Sequence, residues 1–403
     1  MVTADAGPVP RRGVVPRYAL LWLAGVDLRV TMLAVPPVLP LIHHDLHLSE
    51  KAIGLLSGLP VLLLGIAAVP GSLLIARIGA RRATIISLVL VAAAAALRGV
   101  GRSSPMLFAM TFLMGAGIAI MQPALPTLAL EWFGARADFA TAVYANGLLI
   151  GEAVPAALML PVILPLVGGG WPAALAAWSL PVAATAILIA LGTRHGRRPA
   201  AATPTRWWPD WRSGQTWRLG LLIGGTGGLY FSTNAFLPDY LHAVGRPELV
   251  SPALTALNSG QLPASFVALF AIGGMARRRV TFVATPLLAA LGLLCLFAPA
   301  AWLVVLGAGA IGFFGAFTLI LSLALPPLLA PVGDVHRLSA GMFAVGYALS
   351  CAVPLIGGAL WDLTGVPATA FLAAALSAAA VAAAALSMQP WPGRPNSGGE
   401  VGT

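Results

Sequence analysis

Residues 18–42 read YALLWLAGVDLRVTMLAVPPVLPLI. A helix needs about 20 largely apolar residues to cross the hydrocarbon core of a bilayer, and this run is longer than that. It follows Arg11, Arg12 and Arg17, as a secretory leader's core would. A leader's apolar core is usually only about 7–15 residues, so a retained membrane span is expected. Two residues inside the run, Asp27 and Arg29, are ionisable. A charge at that depth costs at least about 2.5–3.5 kcal/mol on insertion scales, so each should face other helices or a wet cavity. Arginine keeps its proton, and its planar fork matches carboxylate-like anions. On a regular helix Trp22, Gly25, Arg29 and Pro36 share one face, and Asp27 and Thr31 share another.

Working outward, eleven further apolar runs follow, at 52–76, 83–100, 106–130, 139–167, 171–192, 219–241, 252–275, 280–299, 302–329, 338–360 and 366–388. Backbone groups in hydrocarbon must bond within their own segment, so these runs are read as helices. The composition agrees. Of 403 residues, 59% are apolar and 9% charged, against roughly 45–50% and 25% in soluble domains. Such a chain cannot cover a water-facing surface, which excludes a soluble enzyme and a disordered chain. A net charge of +10 would suggest nucleic acid in a soluble protein. Here the basic residues sit in turns between apolar runs, so no nucleic-acid partner is expected. Cys295 and Cys351 both fall inside apolar runs and form neither a disulfide framework nor a metal-ligand spacing. His43 and His47 stand at i, i+4 in a short turn, a spacing that binds metal only on a helix, and no metal is expected. The chain carries no nucleotide loop, zinc-protease or nucleophile-elbow motif, so neither a cofactor nor ATP-driven pumping is expected within it.

With the N-terminus placed in the cytoplasm, alternation puts the arginine clusters at 11–17, 77–82, 194–198, 206–218 and 277–279 on the cytoplasmic side. Lys51, Arg98, Arg102 and Arg246 fall in outside turns. The expected organisation is a cytoplasmic tail 1–17, a six-helix bundle 18–192, a cytoplasmic linker 193–216, a second six-helix bundle 217–388 and a cytoplasmic tail 389–403. The protein is placed in the cytoplasmic (inner) membrane, multi-pass, with both termini inside. The linker holds Pro199, Pro204 and Pro209 with Trp207, Trp208 and Trp211, which are placed at headgroup level against membrane lipid. The halves echo each other: Pro60 and Pro263 are 203 residues apart, and so are Tyr144 and Tyr347. Parallel six-helix repeats with a site between them are a transporter arrangement.

The chain resembles the major facilitator superfamily, and more narrowly its cyanate permease and 2-nitroimidazole transporter branch. Three groups of residues carry the resemblance. The first is Asp27-Leu28-Arg29, then Pro37-Val38-Leu39-Pro40-Leu41-Ile42, Leu46-His47-Leu48-Ser49 and Gly54-Leu55-Leu56 to Pro60. The second is Ala142-Val143-Tyr144. The third runs from Gly341 to Gly346-Tyr347, then Pro354, Gly357 and Asp362-Leu363-Thr364-Gly365. Three positions depart from the pattern. Ala76 replaces an Asp before Arg77, Gly79, Arg81 and Arg82, the cytoplasmic gate loop, and so removes an Asp-based latch. Asp27 stands where the branch often has Asn, and Phe343 where a polar residue is common. The resemblance implies an all-α integral membrane fold of twelve helices in two pseudo-symmetric six-helix bundles. It also implies a cavity lined by spans one, four, seven and ten, helped by two, five, eight and eleven.

The substrate-binding candidates are Arg29, Gln122, Tyr144, Asn146, Tyr230, Asn234, Asn258, Gln261, Phe317 and Tyr347. Arg29 is read as the central anion-binding group, with a structural ion pair as the alternative. Interhelical hydrogen bonding is the competing role for each polar residue. Phe313, Phe314 and Phe317 either wall the site or pack in the core. Asp27 and Glu152 are the intramembrane carboxyls, each a proton-coupling candidate or a structural hydrogen-bonding group. An Arg29–Glu152 pair between helices is one arrangement open to them. The expected activity is secondary active transport of a small organic or inorganic anion by alternating access, with proton symport inward. The expected partners are that small molecule, the proton and membrane lipid, and the expected state is a monomer. Proton-coupled efflux of amphipathic compounds, a non-transporting receptor and a membrane enzyme are the alternatives, although no converging catalytic set supports an enzyme.

Overall fold

The computed structural model describes residues 14–48, 50–193 and 206–388. Ser49, the tail residues Arg11, Arg12 and Arg394, and the linker stretch with Arg194, Arg197, Arg198, Pro199 and Pro204 lie outside the described residues. Among the described residues there is no strand, and the helical segments string into twelve rods. We number them α1 (Val14–Asp27, Val30–Leu33 and Leu39–Leu46), α2 (Glu50–Ile66 and Ala68–Ile78), α3 (Ala80–Leu97), α4 (Ser104–Phe133), α5 (Ala137–Leu158) and α6 (Trp171–Ala177 and Ser179–Gly192). The second six are α7 (Gly214–Ala243), α8 (Val250–Ser259 and Gln261–Met275), α9 (Arg279–Cys295), α10 (Ala301–Leu323 and Leu325–Leu329), α11 (Val335–Thr364) and α12 (Leu372–Ser387). Eight stretches of the described residues are long and apolar enough to cross a membrane, or nine with the bent pair in α2. One of these stretches, Ser104–Pro155, contains both α4 and α5. The polar-studded α7 and the shorter apolar α9 complete the twelve rods.

The two sets of six repeat one packing plan. In the first, α1 packs on α5 and α6, α2 on α4, and α3 on α4 and α6. In the second, α7 packs on α11 and α12, α8 on α10, and α9 on α10 and α12. The sets meet through α5 with α8 and α2 with α11, two contacts that exchange under the duplication.

Lipid tails are as apolar as leucine, so close packing rather than water exclusion holds such rods together. Glycines supply the close approach. A Cβ on Gly25 would collide with the Tyr144 carbonyl oxygen, and one on Gly147 or Gly151 with the carbonyls of Trp22 or Val26. These three weld α1 to α5. Gly224 does the same for α7 against Gly346 and Leu349 of α11. Gly25 has a counterpart 203 residues on in Gly228, which packs on Val353.

Among the interrupted rods, two matter for the site. In α2 the segments Leu59–Ile66 and Ala68–Ile78 meet at 52°. The other is α1. Its first helix ends at Asp27, a short helix Val30–Leu33 follows, and after Pro36-Pro37 a third piece runs to Leu46. The single regular helix expected across residues 18–42 is therefore corrected. Proline has no N–H to give, which accounts for the second interruption. Trp22, Gly25 and Arg29 all meet α5, as one face requires, but Pro36 lies beyond the break and is exposed.

Candidate functional site

Arg29 stands at the first break in α1, at φ −127° and ψ −30°. Its Nε donates to Glu152 Oε1 at 3.0 Å, on α5. Its Nη2 donates to the Tyr347 hydroxyl at 3.2 Å, on α11 of the other half. Gln122 of α4 donates to that same hydroxyl from Nε2 at 2.6 Å. The phenol oxygen thus accepts two bonds, and neither uses its own proton. Phe343 stacks on the Tyr347 ring at 6.0 Å and holds it in place. Arg29 Nη1 is buried and has no partner among the described residues.

These groups border a cavity of about 190 Å³ between the halves. Its walls are Arg29, Met32 and Leu33 of α1, Val61 and Leu64 of α2, and Leu149 and Glu152 of α5. From the second half come Ile223, Thr226, Gly227, Tyr230 and Phe231 of α7, Gln261 of α8, Gly315, Ala316 and Leu319 of α10, and Tyr347 and Ser350 of α11. A second polar group faces Arg29 from α7 and α8. Tyr230 donates its hydroxyl proton to Asn258 Oδ1 at 2.5 Å and accepts from Gln261 Nε2 at 2.9 Å. Asn258 Nδ2 donates to Asn234 Oδ1 at 3.1 Å. One wall is therefore cationic and phenolic, one is amide-rich, and the rest is apolar.

Of the residues singled out in the sequence, Arg29, Glu152, Tyr230, Gln261 and Tyr347 line the cavity. Gln122, Asn234 and Asn258 stand one layer back, bonded to residues that do. Three lie elsewhere. Asn146 is about 240° around α5 from Glu152. It accepts from Trp22 Nε1 at 2.8 Å and donates to Ser265 Oγ at 2.9 Å, stitching α1, α5 and α8 together. Tyr144 is buried where its backbone meets Gly25, and its hydroxyl has no partner. Phe317 is buried and stacked parallel to Phe313 at 6.2 Å, because α10 presents its small face, Gly315 and Ala316, to the cavity.

Asp27 is buried inside the first half, facing Thr185 of α6 rather than the cavity. In the loop after α2, Gly79 takes φ +85°, the left-handed region that favours glycine. Arg81 donates from Nε to Thr193 Oγ1 at 2.6 Å and from Nη2 to the Ala190 carbonyl at 2.7 Å. It therefore ties α3 to α6 within one half, with Arg77 and Arg82 flanking it. At this end an ion pair joins the halves: Asp138 Oδ2 with Arg277 Nη2 at 3.8 Å, between the start of α5 and the end of α8.

Thr226 and Ser350 are wall residues that the sequence reading missed. Helical spacing could have found them, since Thr226 is four residues before Tyr230 and Ser350 three after Tyr347. Among the described residues no cluster of His, Cys, Asp or Glu could hold a metal ion.

Two matched sets of six membrane rods around a cavity walled by both define an alternating-access transporter fold. The profile of the Major Facilitator Superfamily matches residues 21–276, and the chain belongs to that superfamily. It is a multi-pass membrane transporter and not an enzyme. It is 29% identical over 353 residues to the cyanate transport protein CynX of Escherichia coli (strain K12), covering 86% of this chain and 90% of that protein. It is 28% identical over 355 residues to the 2-nitroimidazole transporter of the same organism, covering 85% and 87%. A nitrite extrusion protein of Bacillus subtilis (strain 168) is 27% identical over 198 residues, 49% of each chain. In fold, the chain matches the transporter FucP in the outward conformation with a TM-score of 0.74 at 18% identity, covering 93% of this chain and 99% of that one. The proton:xylose symporter XylE matches with a TM-score of 0.72 at 11% identity, covering 94% and 95%.

Proposed function

We propose that the protein carries a small organic or inorganic anion inward across the cytoplasmic membrane, coupled to a proton. One observation carries this reading: Arg29, a permanent cation, lines the cavity between the halves, and its Nη1 has no partner among the described residues. A buried guanidinium with an unused N–H is a ready anion receptor. The Tyr347 hydroxyl proton and the Gln261 and Tyr230 polar groups supply further hydrogen bonds around the same space. The relatives' names point the same way, since cyanate and nitrite are small anions.

Glu152 gives the reading its coupling. It holds the Nε edge of Arg29 at 3.0 Å and borders the cavity, whereas Asp27 faces α6. A proton on Glu152 removes the competing carboxylate and frees the guanidinium for the substrate. Loss of the substrate to the cytoplasm restores the pair and releases the proton. Arginine clusters place the loop end of α2, α8 and the linker in the cytoplasm, with both termini there. The halves, residues 18–192 and 217–388 joined by the 193–216 linker, rock about the site. The Asp138–Arg277 pair joins the halves at the end that this reading places in the cytoplasm. We assign the working unit as a monomer surrounded by membrane lipid.

The test uses purified protein in sealed proteoliposomes with cyanate, nitrite and 2-nitroimidazole as probes. An inward proton gradient should drive accumulation of an anion in the wild type. Arg29→Lys should weaken its apparent affinity by about 100-fold, the loss expected when a planar fork is replaced by a point charge. Glu152→Gln should keep binding but lose the response to the pH gradient. Wild-type affinity in Arg29→Lys sinks the anion reading. A second reading, efflux of amphipathic compounds, is favoured by the apolar walls Met32, Leu33, Leu64, Ile223, Phe231 and Leu319. It predicts 2-nitroimidazole movement without any dependence on Arg29.

A further inference from the structure

We infer that Arg98 is a positioning residue that holds the broken segment of α1 against the cavity and so presents Arg29. The inference rests on Arg29 being the anion-binding group.

The sequence places Arg98 in an outside turn; in the structure it stands in the turn after α3, with its side chain buried. Arg98 follows the last residue of α3 and is only 1% exposed. Its Nη2 donates to the Thr31 carbonyl of α1 at 2.9 Å. Its Nε and Nη1 are buried without partners, and no carboxylate lies within ion-pair distance of it among the described residues. A buried, unpaired cation is costly, and an apolar side chain of similar volume would pack there at less cost. Folding alone does not account for it.

The break in α1 does. In a continuous helix the Thr31 carbonyl would accept from the Val35 N–H. Here that N–H turns to Met32 O, at 3.5 Å. The Thr31 carbonyl is thereby left without a helical donor inside the membrane, where an unsatisfied backbone group costs several kcal/mol. Arg98 supplies the donor. The piece it grips, Val30–Leu33, follows Arg29 directly and carries the wall residues Met32 and Leu33. The next piece of α1 is held from the same place. Arg102 Nη1 lies 3.3 Å from Asp45 Oδ2, and Trp171 Nε1 donates to that oxygen at 2.9 Å. The end of α3 thus grips both pieces of α1 beyond the break. Without Arg98 the short segment is free to rejoin the preceding helix, which would rotate Arg29 away from Glu152 and Tyr347.

The experiment compares Arg98→Met, Arg98→Gln and Arg98→Lys in full-length protein reconstituted in proteoliposomes, with cyanate and nitrite as probes. Each variant is also made with Cys295 and Cys351 replaced and Met32→Cys added, and its labelling by a water-soluble maleimide is timed without substrate. Arg98→Met and Arg98→Gln should raise the half-saturating anion concentration about 10- to 100-fold, the loss typical of a misplaced binding group. The maximal rate should change far less, and Met32→Cys labelling should shift severalfold. Arg98→Lys, which can still donate to the carbonyl, should recover most of both. In an Arg29→Lys background, Arg98→Met should add no further loss of affinity. Wild-type labelling and affinity in Arg98→Met, which has no donor, or full additivity with Arg29→Lys, overturns the inference. If Arg29→Lys alone keeps wild-type affinity, the anion reading fails instead, and the labelling rates still report whether Arg98 holds the segment.

Discussion

Tyr347 is the residue on which the two halves converge. Its hydroxyl accepts from Arg29 Nη2 in one rod and Gln122 Nε2 in another, both across the boundary between the halves. Removing that oxygen leaves two buried donors unpaired, at about 1–3 kcal/mol for each. Tyr347→Phe should therefore lower the melting temperature, and by removing the hydroxyl and loosening Arg29 it should weaken anion affinity at least about tenfold. Half-saturation in uptake and a melting curve separate the two effects, and unchanged affinity would show that Tyr347 is only packing. Arg29 was legible in the sequence because charge is costly at membrane depth. Asn146 and Tyr144 were equally polar in the sequence but proved to be interhelical. Type does not reveal direction; that depends on which neighbour reaches the other side of α5. The turn at Arg98 was legible too, but not its burial, because the Thr31 carbonyl that its side chain reaches belongs to another rod.

At the scale of elements, the contact of α1 with α5 depends on Gly25, Gly147 and Gly151. A valine at Gly151 would drive its side chain into the Val26 carbonyl. Overpacking of this kind costs about 1–3 kcal/mol or more. Gly151→Val should lower the melting temperature in detergent by several degrees, whereas Gly274→Ala, where a Cβ meets nothing within 4 Å, should leave it unchanged. Equal melting temperatures would mean that α1 and α5 do not need the close approach. The twelve apolar runs located the rods to within a few residues. The break at Leu28–Arg29 was not visible, because no proline or glycine occupies it. Its stabilising donor comes from α3, far away in the chain. Only Pro36-Pro37 signalled an interruption, and the sequence gives no reason for the earlier one.

At the scale of the molecule, the halves are bridged at the α2 and α8 ends by Asp138–Arg277 at 3.8 Å, with Arg277 partly exposed. The Ser72 hydroxyl adds a bond to the Trp207 carbonyl of the linker at 2.7 Å, and Arg337 holds the neighbouring Trp208 carbonyl. An exposed pair is worth about 0–1 kcal/mol, enough to shift a two-state equilibrium severalfold. Asp138→Asn should lengthen spin-label distances between the ends of α5 and α8 in a larger fraction of molecules. Exchanging the charges, Asp138→Arg with Arg277→Asp, should restore the wild-type distribution. No change in the single variant would show that helix packing alone sets this closure. The family pattern lacks its usual Asp at Ala76, yet an Asp–Arg pair joins the halves from another rod. A loop motif read alone would have missed it.

The sequence by itself determined the solvent, the number of rods and the duplication, because hydropathy accumulates along a run and a repeat keeps its offset. Those are properties of neighbours in the chain. Tertiary structure alone decided which polar groups meet, because a membrane helix satisfies its own backbone and leaves its side chains to whichever rods pack against it. Arg29 was conspicuous as one buried charge; Glu152, Tyr347, Gln122 and Arg98 became its surroundings only when four other rods were brought to it.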